Sequence, residues 1–369
     1  MEKINVRIGD LRRRKGISQQ KLADAMGVSF QTVSKWENKI TMPDIMLLPE
    51  LAGYFSISVD QLLGLKPLPD EEYLPVESDK SRYWNDKKDY LARSRKYRWN
   101  DDYLAFLVNQ VWGIDGPVSV LDCGCGDGSF CKRLMGLLPK GSSYTGIDFN
   151  EFLIEEGRKS HEEVPDRVKF ICGDVLEYES SVKYDIVLER SVMRHLNQPE
   201  EFLNKMISLC RKGGLVITMN VNRELECDGL YIEGMEYETL CERPGFRKMW
   251  KNEHEKQGRD YAVAMKIPGL MKKAGLREIG TRMNDKVNLI FPDMAGYEQV
   301  LEDFLAIHQW DRDVDEKKIM ERFMNHGMDW NEAQSYCQRQ REVKEYINGN
   351  RENISCVLFS GMMISFGRK

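Results

Sequence analysis

The chain has 369 residues, 41% of them hydrophobic and 31% charged, with a formal net charge of −5. That length accommodates two or three domains with cores of their own. It holds no apolar run of about 18 residues, which excludes a membrane span, and its first residues lack the apolar core of a signal peptide, so the cytoplasm is the expected compartment. The nine cysteines show no extracellular framework, with Cys123, Cys125 and Cys131 confined to one turn and its helix, which fits reduced thiols; no metal site is expected. Residues 1–66 carry 10 Lys+Arg against 7 Asp+Glu, or +3, leaving −8 for the remainder, so a nucleic-acid contact is expected in the first 66 residues.

Asn5 to Lys15 reads as a helix with Ile8 and Leu11 inward, closed by Gly16. Ser18 caps a second helix, Gln19 to Met26, and Ser29 starts a third, Phe30 to Trp36, after a turn at Gly27. Leu22, Ala23, Val28, Val33 and Trp36 have the spacing that packs two short helices across a turn. The stretch I-S-Q-Q-K-L-A-D-A-M-G-V-S-F-Q-T-V-S-K-W-E-N resembles the Cro/repressor-type helix-turn-helix, and P-D-I-M-L-L-P-E-L-A-G-Y-F-S-I-S-V-D-Q-L-L supplies its fourth and fifth helices. The resemblance implies an all-α DNA-binding domain over residues 1–66 whose third helix enters the major groove. It places Phe30, Gln31 and Lys35 against bases, and Gln19, Ser29, Thr32, Asn38 and Lys39 against phosphates. Gln suits adenine, Lys guanine, and Phe a thymine methyl. Such domains act in pairs, so a homodimer is expected.

Residues 67–81, rich in proline and acids, read as a linker, followed by a second domain over 82–369. Its first stretch is aromatic and helical in pattern, and Tyr83, Tyr90, Arg93 and Tyr97 are candidates to close over a ligand. Then comes V-L-D-C-G-C-G-D-G, Val120 to Gly128: a buried strand ending in Asp122, glycines at 124, 126 and 128, and a helix from Ser129. Strand, glycine turn and helix present backbone N–H groups and a helix amino end to a ligand. The dinucleotide fingerprint wants glycine at 129, where this chain has Ser129. An acid two positions before the first glycine suits a cationic amine better than a pyrophosphate. The next strand, Ser143 to Ile147, ends in Asp148, placed for both hydroxyls of a ribose.

This turn and its following acid resemble those of class I S-adenosylmethionine-dependent methyltransferases. The resemblance implies an α/β Rossmann-like domain, with a seven-stranded sheet whose last strand is antiparallel. It implies S-adenosylmethionine as cofactor, held by Asp122, Gly124, Gly126, Asp127, Gly128, Asp148, Phe149, Asp174, Val175, Glu189 and Arg190. Further strands are expected at Val168 to Ile171, Tyr184 to Leu188, Leu215 to Met219, from Arg277 to about Met283, and at Val357 to Gly367. Two insertions decorate the core: Asn220 to Asp260, and a charged helical block near 293–350 expected to form a lid or a dimer surface.

Methyl transfer from a sulfonium needs positioning, exclusion of water and, for some acceptors, removal of a proton. His195 is the first candidate base, with Glu189 and Tyr231 behind it. The expected activity is methylation of a small-molecule acceptor, with the amino-terminal domain suggesting transcriptional regulation, including that of its own gene. The alternative is a repressor that senses S-adenosylmethionine or a metabolite without turnover. A nucleic-acid base methyltransferase fits less well, because Glu189-Arg190-Ser191 stands where a Pro-Pro-aromatic motif is wanted and no Pro-Cys pair exists.

Overall fold

The computed structural model describes residues 6–65, 68, 93, 97–163 and 166–369. The linker, apart from Leu68, together with Tyr83 and Tyr90, lies outside the described residues. The chain divides into two compact units: 1–74 with 244–249 and 315–337, and 75–243 with 250–314 and 338–369.

The smaller unit begins with five short helices: α1 (Ile8–Arg14), α2 (Gln19–Ala25), α3 (Phe30–Glu37), α4 (Leu48–Phe55) and α5 (Val59–Leu62). Serines cap three of them, Ser18, Ser29 and Ser58, each accepting from a backbone amide of its first turn. Gly16 and Gly27 turn the chain with φ of +67° and +64°, which a side chain would resist. Ile8, Leu22, Ala23, Val33, Trp36, Leu51 and Leu62 fill one core. The helix spacing read from sequence is therefore the packing observed.

The larger unit opens with α6 (Asp101–Phe106), then builds β1 (Ser119–Cys123), α7 (Ser129–Leu137), β2 (Ser143–Asp148), α8 (Glu151–Ser160), β3 (Val168–Cys172), β4 (Tyr184–Arg190), α9 (Pro199–Leu209) and β5 (Cys210–Val221). Next come α10 (Arg223–Cys227), β6 (Leu230–Ile232), α11 (Tyr237–Cys241), α12 (Phe246–Gln257), α13 (Val263–Lys273), β7 (Arg277–Met283) and β8 (Val287–Ile290). The chain finishes with α14 (Tyr297–His308), α15 (Glu316–Asn325), α16 (Trp330–Gly349), β9 (Cys356–Phe359) and β10 (Met362–Arg368).

Seven strands form one sheet in the order β3-β2-β1-β4-β5-β10-β7. The first five are parallel, and β10 runs antiparallel to both β5 and β7. This is the expected architecture. Strand periodicity sorts the core into two faces: Val120, Ile186, Leu188, Ile217 and Met219 on one, Leu121, Cys123, Val187 and Val216 on the other. Helices α7 and α8 cover the first face through Phe130, Leu134 and Ile154; α9 and α13 cover the second through Phe202, Leu203, Val263 and Ile267.

One expectation needs correction. The closing strand expected over 357–367 is two strands: Gly361, at φ +57°, breaks it, so that β10 joins the main sheet while β9 pairs between β6 and β8 in a second, three-stranded sheet. The helical block near 293–350 is divided. Leu301, Phe304 and Leu305 of α14 and Val343 and Ile347 of α16 form one core with Leu230, Ile232, Ile290 and Cys356 of the small sheet. Its middle, 315–337, groups with the smaller unit, where Phe246, Phe323 and Tyr336 make an aromatic trio with centroids 4.9–5.6 Å apart.

Candidate active site and DNA-binding surface

The turn after β1 is built for close approach. Gly124, Gly126 and Gly128 have φ of +82°, +58° and +68°. A Cβ on Gly124 would sit 2.4 Å from Val192 Cγ2, and one on Gly128 would sit 2.3 Å from Phe170 Cζ. No other residue type fits either position without displacement. The turn is hung on β2: Gly124 N and Cys125 N donate to Ile147 O at 2.7 and 3.1 Å. Gly126 N donates to Asp148 Oδ2 at 2.9 Å, and Asn150 N donates to Asp148 Oδ1 at the same distance. Asp148 thus fixes the turn and remains at the strand end, 8% exposed. Asp127 Oδ1 accepts from Ser129 N at 3.0 Å at the start of α7. Asp122 is buried and accepts from Tyr144 O–H at 2.7 Å.

Beside this turn, at the end of β4, Glu189 is fully buried. Its Oε2 accepts from Val192 N at 2.9 Å, and its Oε1 accepts from the Asn220 side-chain amide. Burial raises the Glu189 carboxyl to about 7, against the lowering effect of these donors. Ser191 then adopts φ +61°, held by its N–H to Met219 O at 2.8 Å, a conformation that costs a non-glycine residue free energy. Arg190 lies 4.9 Å from the centroid of the Phe130 ring. Three side-chain atoms around the strand ends, Ser129 Oγ, Ser191 Oγ and Asn220 Oδ1, are buried without a hydrogen-bond partner among the described residues. Buried polar atoms of that kind find partners in ligand or water. Together with a cradle that a Cβ would fill, they fit a nucleoside-bearing cofactor.

The other candidates are scattered. Asp174 is exposed and accepts from Leu176 N at 2.8 Å, while Val175 is buried and Phe149 is 46% exposed. His195 is half-buried, and its Nε2 accepts from Arg194 Nε at 3.0 Å. Burial, Arg194 and Arg259 push its pKa well below the usual histidine value, so it is neutral at pH 7. Tyr231 stands on β6 in the separate small sheet, paired with Val357 of β9, and is 43% exposed. Asn220 was missed by sequence reasoning, which ended the fifth strand at Met219; the strand runs two residues further and places Asn220 against Glu189. Arg93 and Tyr97 reach the insertion rather than the turn: Tyr97 O–H donates to Asp303 Oδ2 at 2.8 Å, and Arg93 pairs with Asp303 at 3.4 Å.

In the smaller unit, Ser29 caps α3 by accepting from Thr32 N at 3.2 Å, and its Oγ lies 2.9 Å from Thr32 Oγ1. Phe30, Gln31, Lys35, Asn38 and Lys39 are exposed along α3 and its end. Gln19 is turned differently from a free phosphate donor: its amide donates to Glu37 Oε2 at 2.7 Å, beside the paired Arg12.

A family model described as a helix-turn-helix matches residues 8–62, and one described as a methyltransferase domain matches residues 114–288. The chain joins a helix-turn-helix domain to a methyltransferase domain. S-adenosylmethionine is the methyl donor of such a domain. Ubiquinone biosynthesis O-methyltransferases of Maricaulis maris and Chelativorans sp. are 28% and 31% identical, over 38% and 32% of this chain and 58% and 46% of their own length. The chain thus spans about half the length of these curated relatives. Among solved structures, the [4+2]-cyclase SpnF aligns with a TM-score of 0.45 at 15% identity, over 81% of this chain and 98% of that one. A Haemonchus contortus phosphoethanolamine N-methyltransferase 2 in complex with S-adenosyl-L-methionine aligns with a TM-score of 0.38 at 16% identity, over 72% and 53%. Among the described residues, no helix is long and apolar enough to cross a membrane.

Proposed function

We propose that this chain transfers a methyl group from S-adenosylmethionine to a small-molecule acceptor, and that its amino-terminal domain binds DNA as a dimer to regulate genes, its own included. The observation that carries the enzymatic reading is the three-glycine turn hung on Asp148, with orphaned polar atoms at the adjoining strand ends. The cofactor, when bound, supplies a methyl group on a sulfonium. Around it, Asp148 holds the ribose diol, Asp174 and Val175 meet the base, and Asp122 attracts the amine. Phe149, Asp127 and Arg190 line the same cradle. Glu189 acts as a positioning residue, fixing the Ser191 turn through Val192 N and orienting Asn220. His195, neutral at pH 7, takes a proton from a protic acceptor at Nε2, the acceptor exchanging with Arg194 as its hydrogen-bond donor; the exposed Tyr231 is the weaker choice.

The test is calorimetry with S-adenosylmethionine on the wild type, Asp148→Ala and Gly126→Val, combined with detection of S-adenosylhomocysteine after incubation with acceptor pools. Tight binding by the wild type, lost in both variants, with product formed, supports the reading. Unchanged affinity in both variants places the cofactor elsewhere. Binding without product from any pool would make the chain a sensor.

A further inference from the structure

Two polar atoms at the carboxyl ends of β4 and β5 are left unused by the protein itself. Asn220 is fully buried, and its side-chain amide donates to Glu189 Oε1. Glu189 Oε2 accepts from Val192 N at 2.9 Å, so both carboxylate oxygens face donors. That fixes the amide: its nitrogen is turned to Glu189, and its oxygen is the end left over. Asn220 Oδ1 has no hydrogen-bond partner among the described residues, and neither has the buried Ser191 Oγ. The two residues are neighbours. Arg190 pairs with Met219 in the last step of the β4–β5 ladder, and Ser191 and Asn220 follow them directly. Ser191 N donates to Met219 O at 2.8 Å, which holds Ser191 at φ +61° against the strand end. This place adjoins the glycine turn, because a Cβ on Gly124 would lie 2.4 Å from Val192 Cγ2. In open α/β sheets, ligands bind outside the carboxyl ends of the strands.

A buried amide oxygen without a donor is costly, so a ligand or a water supplies one. Asn220 Oδ1 can only accept, and Ser191 Oγ accepts as readily as it donates. Two acceptors side by side suit a group with two hydrogens to give, which an amine has and a hydroxyl has not. Charge points the same way. Glu189 lies one hydrogen bond behind Asn220, and burial has pushed its carboxyl up to about 7; a cation beside it offsets that cost, whereas an anion adds to it. We propose that the methyl acceptor is a small molecule bearing an amino group, whose N–H groups donate to Asn220 Oδ1 and Ser191 Oγ. The inference rests on the methyl-transfer reading above and adds the chemical class of its acceptor.

The test uses the full chain saturated with S-adenosylhomocysteine at about pH 8, where Glu189 is ionised. Four probes are titrated by saturation-transfer NMR: benzylamine, benzyl alcohol, benzyl methyl ether and benzoate. Benzylamine should bind at least about tenfold more tightly than the donor-free ether, as expected for charge-assisted bonds, and more tightly than the alcohol; benzoate should bind no better than the ether. Asn220→Leu should weaken benzylamine about tenfold or more, but it strips Glu189 Oε1 of its donor and costs stability. Ser191→Ala is the milder variant, since it deletes a hydroxyl with no partner among the described residues. It should keep the melting temperature and the ether affinity of the wild type while weakening benzylamine about threefold or more. Equal or tighter binding of benzyl alcohol or benzoate, or no binding of any probe, overturns the proposal. So does a benzylamine preference that survives in Ser191→Ala, because the two atoms then hold water, or a loss of all probes alike, which marks a structural role. Ser191→Ala should also bind S-adenosylhomocysteine and 5′-methylthioadenosine, which lacks the amino-acid end, within about twofold of the wild type. Loss of the first alone would assign the two atoms to the amine of the cofactor and overturn the proposal. Failure of S-adenosylhomocysteine to bind the wild type would instead remove the methyl-transfer reading itself, and the acceptor role with it.

Discussion

Gly128→Ala tests whether the turn after β1 is as tightly determined as its geometry implies. Two costs add. At φ +68° an alanine occupies the left-handed region, which costs about 1–2 kcal/mol. Its Cβ would also lie 2.3 Å from Phe170 Cζ and 2.5 Å from Phe170 Cε1. The ring cannot swing aside cheaply. It is 7% exposed, lies 5.2 Å from the His161 ring and 6.0 Å from Tyr144, and is already close to Gly157. Overpacking of this kind costs about 1–3 kcal/mol, so the variant should lose about 2–5 kcal/mol in all. That is a large part of a typical domain's stability. A double-mutant cycle separates the two terms. Phe170→Leu alone should cost about 1–2 kcal/mol as a partial large-to-small change. In the Gly128→Ala background it should relieve the clash and leave only the backbone term, giving a coupling energy of about 1–3 kcal/mol. Urea denaturation of the four proteins measures the cycle, and calorimetry with S-adenosylmethionine should show binding partly restored in the double variant. If Gly128→Ala is as stable as the wild type, or the two changes add within about 0.5 kcal/mol, the steric account of this turn is wrong.

Asp148→Ala should weaken S-adenosylmethionine on the order of a hundredfold, since it removes charged hydrogen bonds and frees Gly126 N and Asn150 N; calorimetry reads the loss. Glu189 titrates at about 7 when folded against 4.5 in the unfolded chain, so the folded protein holds the extra proton between those values. Its contribution to stability is therefore fully present below pH 4.5 and is lost as pH rises to 7, a change of up to about 3 kcal/mol. Glu189→Gln should flatten that slope in urea midpoints taken from pH 5 to 7.5, and an unchanged slope would refute the assignment. Lys35→Glu puts a carboxylate where α3 meets DNA and should abolish footprinting near the protein's own gene; equal protection by wild type and variant would remove α3 as the reading helix.

The sequence by itself determined every feature whose signal is local. The glycines at 124, 126 and 128, the serine caps of α2 and α3 and the alternating apolar residues of β1 and β4 act within a few residues of themselves, and the structure places them as read. The acids Asp122, next to last in β1, and Asp148, last in β2, were legible for the same reason, because a strand's end follows from where its period stops. Only the tertiary structure decided what depends on partners far along the chain. The strands β6 and β8 have three and four residues, too few for a periodic signal, and form because β9 arrives between them more than a hundred residues after β6. Gly361 looks like any glycine in a strand until its φ of +57° separates β9 from β10. Asn220 becomes a site residue because parallel pairing of β4 with β5 brings it to Glu189, 31 positions away. Arg93 and Tyr97 meet Asp303 of α14 across more than 200 positions, and no spacing in the sequence encodes that meeting. Side chains separated in sequence acquire a shared charge environment only when the fold has closed the distance between them.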